Sequence, residues 1–167
     1  MATRSHEPQQ YVCPFCQLQR GNFDEWNRPS DIVAVSEHAY ARVAPKWWPN
    51  NPGAVLVMPR MHVENIYALP SDIGHDLWDL TQRIATGVRA SYDCEGTSIR
   101  QHNEPAGDQD VWHVHVHVFP RFVGDELYLR HRESEWVTPD ERAHFGQLLR
   151  RELGEPIDFG ELGTPLG

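Results

Sequence analysis

The sequence predicts an α+β domain, an antiparallel sheet with helices packed on it. Three observations carry that expectation. Segments of strand and helix character follow one another in the order β-β-β-α-β-β-α. One long stretch, 69–93, repeats its apolar residues at steps of three and four, the period of an amphipathic helix. A third stretch, "WHVHVHVFPR" at 112–121, alternates histidine with valine, the period of a strand with two unlike faces.

The elements justify themselves in order. Residues 1–10 are polar and are expected to be flexible. "DIVAVSE" (31–37) and "YARVA" (40–44) are β-branched and alternating, two strands joined by a tight turn. "KWWPNNPG" (46–53) is rich in Pro, Asn and Gly and reads as a loop. "AVLVMP" (54–59) follows as a buried strand. In the helix, Ser71 or Asp72 is placed to cap the start, and Ile73, Leu77, Leu80, Ile84 and Val88 form the buried stripe. "GTSIRQHN" (96–103) reads as a strand and "EPAGDQD" (104–110) as a loop. Strand 111–121 ends at Pro120, and a second helix is expected over 139–152, with Pro139 in its first turn. "GEPIDFGELGTPLG" (154–167) has no pattern and reads as an irregular tail, which leaves a single domain over 11–153.

Composition narrows the function. With 167 residues the chain can bury a core without disulfides. A net charge of -9 argues against a broad grip on nucleic acid, whose phosphates are met mainly by Lys and Arg. The longest apolar run, "AVLVM" at 54–58, is too short to span a bilayer, so no membrane partner is expected. Three cysteines and a start without an apolar leader predict a reducing, cytoplasmic setting.

The histidine row carries the chemistry. In a strand, His113, His115 and His117 share one face, and Val114, Val116 and Val118 share the core face. By the same alternation Trp112 belongs with the valines. Successive histidines stand roughly 7 Å apart and the outer two roughly 13 Å. With Zn–N bonds of about 2.1 Å, a straight strand cannot bring all three rings to one metal. Neutral imidazole is a good nucleophile toward phosphorus, and neighbouring rings can donate hydrogen bonds as charge builds. "CPFC" (13–16) admits three readings: a redox pair, two buried thiols, or half of a zinc site completed by histidines, since no second CxxC exists.

These residues resemble a known family. "HVHVHVF" (113–119) is similar to the signature of the histidine triad (HIT) nucleotide hydrolases and transferases. "NPGAVLVMPRMHVENIYAL" (51–69) resembles that family's strand and loop before its long helix, and "NEPAGDQDVWH" (103–113) its phosphate loop. The resemblance covers roughly 11–122 and implies a five-stranded antiparallel sheet with two helices, usually in a homodimer. It implies that His115 is the nucleophile that takes up a nucleoside monophosphate and that His117 contacts the phosphate. Asn103 and Gln109 are implied donors in the phosphate loop; Asp108 looks inserted, which makes His102 the rival of Asn103. Implied substrates are nucleoside phosphoramidates, dinucleoside polyphosphates or nucleotide sugars, cleaved at the α-phosphate. Some members bind structural zinc, which implies Cys13, Cys16, His62 and His113 as ligands. Lys46 stands where many relatives carry a ribose-binding Asp or Asn. Two other functions compete: a nucleotide-binding module with little turnover, and a hydrolase that uses a catalytic metal.

Overall fold

The computed structural model describes residues 5–130 and 132–155. Its strands are β1 (Ile32–Val35), β2 (Ala39–Val43), β3 (Lys46–Trp47), β4 (Val55–Pro59), β5 (Gly96–Gln101), β6 (Val116–Arg121) and β7 (Glu135–Trp136). Its helices are α1 (Pro14–Gln19), α2 (Ser71–Ser91) and α3 (Pro139–Leu153). Five strands form one antiparallel sheet in the order β1-β2-β4-β6-β5, while β3 and β7 make a separate two-stranded ribbon.

Burial explains the order. β2 and β4 are buried at every position and lie inside the sheet, as near-continuous apolar runs require. α2 lays its predicted stripe of Ile73, Leu77, Leu80, Ile84 and Val88 into the core. It begins at Ser71 itself, with Pro70 as the flanking residue and no side-chain cap. α3 begins where the sequence predicts. Thr138 accepts from the Glu141 backbone and Glu141 answers the Thr138 N–H, a reciprocal cap at the first turn. Gly87 lets the two long helices approach, because a Cβ there would stand 2.7 Å from Leu149 Cδ1.

One fully buried carboxylate joins the helical layer to the sheet. Asp31 receives Arg42 Nη2 at 3.0 Å and Arg142 Nε at 2.8 Å, and all three residues are at most 1% exposed. One carboxylate balances two guanidiniums only with help. Carbonyls of Val43, Trp26, Val137 and Glu25 and the Asn27 side chain accept the remaining N–H groups. That makes the cluster electrically tolerable in a dry interior.

Several expectations are corrected. The histidine strand over 111–121 is ladder-paired only from Val116 onward. Ahead of it the chain bends, and Val114 N bonds Val63 O outside the sheet. The loop 46–53 contains β3, whose partner β7 lies in a charged stretch with no strand period; two-residue strands leave no periodicity to read. A third helix, α1, winds through the CPFC segment. Trp112 is half-buried and stacks on His6 at 5.9 Å rather than joining the core. Of the expected tail, 154–167, Gly154 caps α3 and residues 156–167 lie outside the described residues, as do 1–4.

Asp31→Ala leaves two guanidiniums buried without their carboxylate. The expected loss in urea-unfolding free energy is about 3–5 kcal/mol; a loss within about 1 kcal/mol would mean that the carbonyls alone suffice.

Candidate functional site

Four side chains from three parts of the chain converge beside the start of β6. Cys13 flanks α1 and Cys16 lies in its first turn, with Pro14 between them fixing the helical start. His62 comes from the turn after β4, and His113 from the bend before β6. Cys13 Sγ lies 3.3 Å from His113 Nδ1, and Cys16 Sγ lies 3.4 Å from His62 Nδ1 and 3.7 Å from His113 Nδ1. The two Nδ1 atoms are 3.2 Å apart. A tetrahedral zinc with ordinary Zn–S and Zn–N bonds has S···N edges of about 3.6 Å and N···N edges of about 3.3 Å. These four edges are close to such values, and all four donors lie within 4.8 Å of one another.

The outer nitrogens of both rings are held as well. His62 Nε2 meets Glu7 Oε2 at 2.9 Å, and His113 Nε2 donates to Pro59 O at 2.9 Å. These contacts turn each Nδ1 toward the sulfurs, the orienting arrangement of metal-binding histidines. The electrostatics agree. The hydrogen bond from Cys13, with His113 and His62 nearby, pulls the Cys16 thiol far below its ordinary range, while the same contact pushes Cys13 up. Cys16 and then Glu7 push His62 up to about 9. A thiolate beside imidazolium is a site whose protons a divalent cation displaces.

His115 and His117 face a different environment. His115 is buried, and its Nδ1 lies 2.7 Å from His113 O. A carbonyl only accepts, so Nδ1 carries the proton and Nε2 is left with its lone pair. Burial lowers the His115 pKa, and it lowers His117 well below 6.5, with the charges of His115, His102 and Arg100 adding to the effect. Both rings are thus neutral at pH 7. Their centroids are 4.9 Å apart. The Phe15 ring sets its edge against His113 and His115 at 5.6 and 5.3 Å, and Phe119 stacks on His117 at 5.4 Å. Val114, Val116 and Val118 are buried on the other face, as alternation predicts.

The loop before the row arranges its predicted residues unequally. His102 comes 5.6 Å from the His117 ring, and its Nδ1 donates to Gly107 O at 2.6 Å. Gln109 is buried, with its amide donating to Glu64 O and Val111 O and its oxygen accepting from Glu104 N. Asn103 Oδ1 accepts from Ile66 N at 2.9 Å. Gln109 and Asn103 fasten the loop, and His102 is the member that reaches the row. Asp108 is exposed, in the left-handed conformation that ends the 105–107 turn. Lys46 holds its ammonium 4.9 Å over the Trp136 ring, which lies 4.4 Å from Trp26. Sequence reasoning passed over Phe15 and Glu7. Phe15 sits inside the CPFC motif and was findable there; Glu7 has no local signal, because its contact spans 55 residues.

Comparison with known proteins agrees with this geometry. The family model described as the HIT domain matches residues 25–124. A HIT-like protein of Methanocaldococcus jannaschii is 29% identical over 132 residues, 78% of this chain and 95% of that protein. A bis(5'-adenosyl)-triphosphatase of Dictyostelium discoideum is 34% identical over 94 residues, 56% of this chain and 62% of that one. A crystal structure of a zinc-bound histidine triad family protein from Mycobacterium smegmatis superposes with a TM-score of 0.69 at 28% identity, covering 86% of this chain and 94% of that one. A paired-thiol cluster, an alternating histidine row and a matched domain over the sheet lead to one assignment: the chain belongs to the HIT domain family.

Proposed function

We propose that this protein is a nucleotidyl hydrolase or transferase working through a covalent nucleotide on His115. The observation that carries the reading is the fixed tautomer of His115: Nδ1–H is tied to His113 O, and a neutral Nε2 is left to attack. Nε2 forms a bond to the α-phosphorus as the bond to the leaving group breaks, and the leaving group departs with that electron pair. The retained Nδ1–H bond stabilises the positive charge that develops on the ring. Water then opens the P–N bond and releases the nucleoside monophosphate. His117 and His102 contact the phosphoryl oxygens, and Gln109 and Asn103 hold the loop that brings His102 in. Similarity to a bis(5'-adenosyl)-triphosphatase favours dinucleoside polyphosphates among the candidate substrates.

Cys13, Cys16, His62 and His113 would hold zinc. Four protein ligands leave no open position, so the ion would supply rigidity rather than Lewis acidity. A homodimer is supported by the unpaired edge of β5 beside exposed Trp78 and Ile99. A cytoplasmic setting is supported by three free thiols. Among the described residues no helix is long and apolar enough to cross a membrane.

Three outcomes are expected. Intact-protein mass spectrometry with diadenosine triphosphate, adenosine phosphoramidate and a nucleotide sugar gives a mass gain of one nucleoside monophosphate, absent in His115→Ala. No adduct and no product across that panel would favour a binding module. Metal analysis finds about one zinc per chain, retained in His115→Ala and lost in a Cys13→Ala/Cys16→Ala double variant; full zinc in the double variant would reject the ligand set. The third concerns pH. The folded state keeps His117 neutral, so below 6.5 the unfolded chain binds a proton that the folded chain refuses. The stability present above pH 6.5 therefore declines as pH falls toward the folded value. The stability of wild type relative to His117→Asn should shrink on acidification below 6.5; a constant difference would refute the depressed pKa.

A further inference from the structure

Arg100 has so far entered only as one of the charges near His117. It lies on β5, where the antiparallel register sets it directly opposite His117. Opposite residues share one face of a sheet, with Cβ atoms about 5 Å apart. Arg100 therefore stands on the histidine face. Its guanidinium carbon lies 5.5 Å over the Phe119 ring and 5.7 Å over the Tyr128 ring. Stacking of this kind covers the flat faces of a guanidinium and leaves its edge N–H groups to find acceptors. Nη1 is buried and has no hydrogen-bond partner among the described residues. A buried donor without an acceptor is costly and uncommon, and it calls for an explanation.

The neighbouring arginine makes the contrast. Arg121, two positions beyond Phe119 on β6, is taken by Asp125 at 2.6 and 2.8 Å and by Ser98 at 2.7 Å. Among the described residues, ion pairs engage Arg42, Arg83, Arg121, Arg130 and Arg142, but not Arg100. A cation with no ion pair among the described residues thus faces His117, the ring next to His115. The shape of the site says which part of a substrate it meets. Phe15 closes the His113–His115 end of the row, and β5 is the outer strand of the sheet. The end of the row away from Phe15 is the His117 end, and Arg100 stands there.

We propose that Arg100 is a specificity-determining residue that receives a phosphate of the leaving group, so that the site prefers leaving groups carrying their own anionic charge over neutral amines. The proposal rests on His115 as nucleophile. Kinetics and binding test it separately. In wild type and Arg100→Met, kcat/KM is compared for diadenosine triphosphate, whose leaving group is charged, and adenosine phosphoramidate, whose leaving group is not. The ratio of the two should fall about tenfold or more, the weight of one charge-assisted hydrogen bond, and Arg100→Lys should restore part of it. An unchanged ratio overturns the proposal, and so does a change of oligomeric state without a change of ratio.

Calorimetry with inorganic tripolyphosphate does not need turnover. His115→Ala should still bind it, and Arg100→Met should bind about tenfold more weakly than wild type. Binding indifferent to Arg100 overturns the proposal even if His115 is the nucleophile. Loss of binding in Arg100→Met, in a protein that forms no His115 adduct, would sustain the anion site while removing the proposed reaction. Thermal melts confirm that the Arg100 variants fold.

Discussion

His113 is the residue on which the site hangs, because it makes three directed contacts at once. Its Nδ1 joins the two cysteines and His62, its Nε2 donates to Pro59 at the end of β4, and its carbonyl accepts from His115. The first two contacts fix the ring, and the peptide behind it then fixes the tautomer of the next histidine. A purely side-chain cluster would leave His115 free to choose either nitrogen. A purely backbone bend would leave His113 free to turn. Together they couple the Cys13, Cys16, His62 and His113 cluster to His115 along two residues of chain.

The bend before β6 follows from the same constraint. Rings two residues apart on a flat strand stand roughly 7 Å from each other, and all three cannot serve one place. The chain meets this by taking His113 off the ladder, with Val114 bonded to Val63, and by letting regular pairing start at Val116. His113 then lies against α1 and the turn after β4, His117 belongs to the sheet, and His115 stands just ahead of the ladder. The division of labour along the row is a consequence of where the ladder begins.

Burial serves opposite ends on the two sides of the structure. Around Asp31 it is made tolerable by acceptors at every guanidinium nitrogen of Arg42 and Arg142. Around His115 and His117 it acts on weak bases, whose neutral form it favours. The Arg100 guanidinium follows neither pattern, being stacked between rings but not saturated.

Much of this was legible in the sequence, for reasons that are local. The α2 stripe, the Thr138–Pro139 start of α3, the alternation of β2, the apolar run of β4 and the valine face of β6 follow from periodicity, capping chemistry and fixed backbone geometry within a few residues. The alternation of His113, His115 and His117, together with the CPFC pair, named the candidate site, and the family resemblance supplied the roles expected of them. What only the tertiary structure decided depends on partners far apart in the chain. Glu7 against His62, Asp31 between Arg42 and Arg142, β3 with β7, and His102 rather than Asn103 at the row are all long-range meetings. So is the setting of Arg100 opposite His117, which exists only once β5 takes its register on β6. Periodicity records which face a residue occupies; it carries no record of which distant strand or loop will be set against that face, because that is decided by the packing of the whole core.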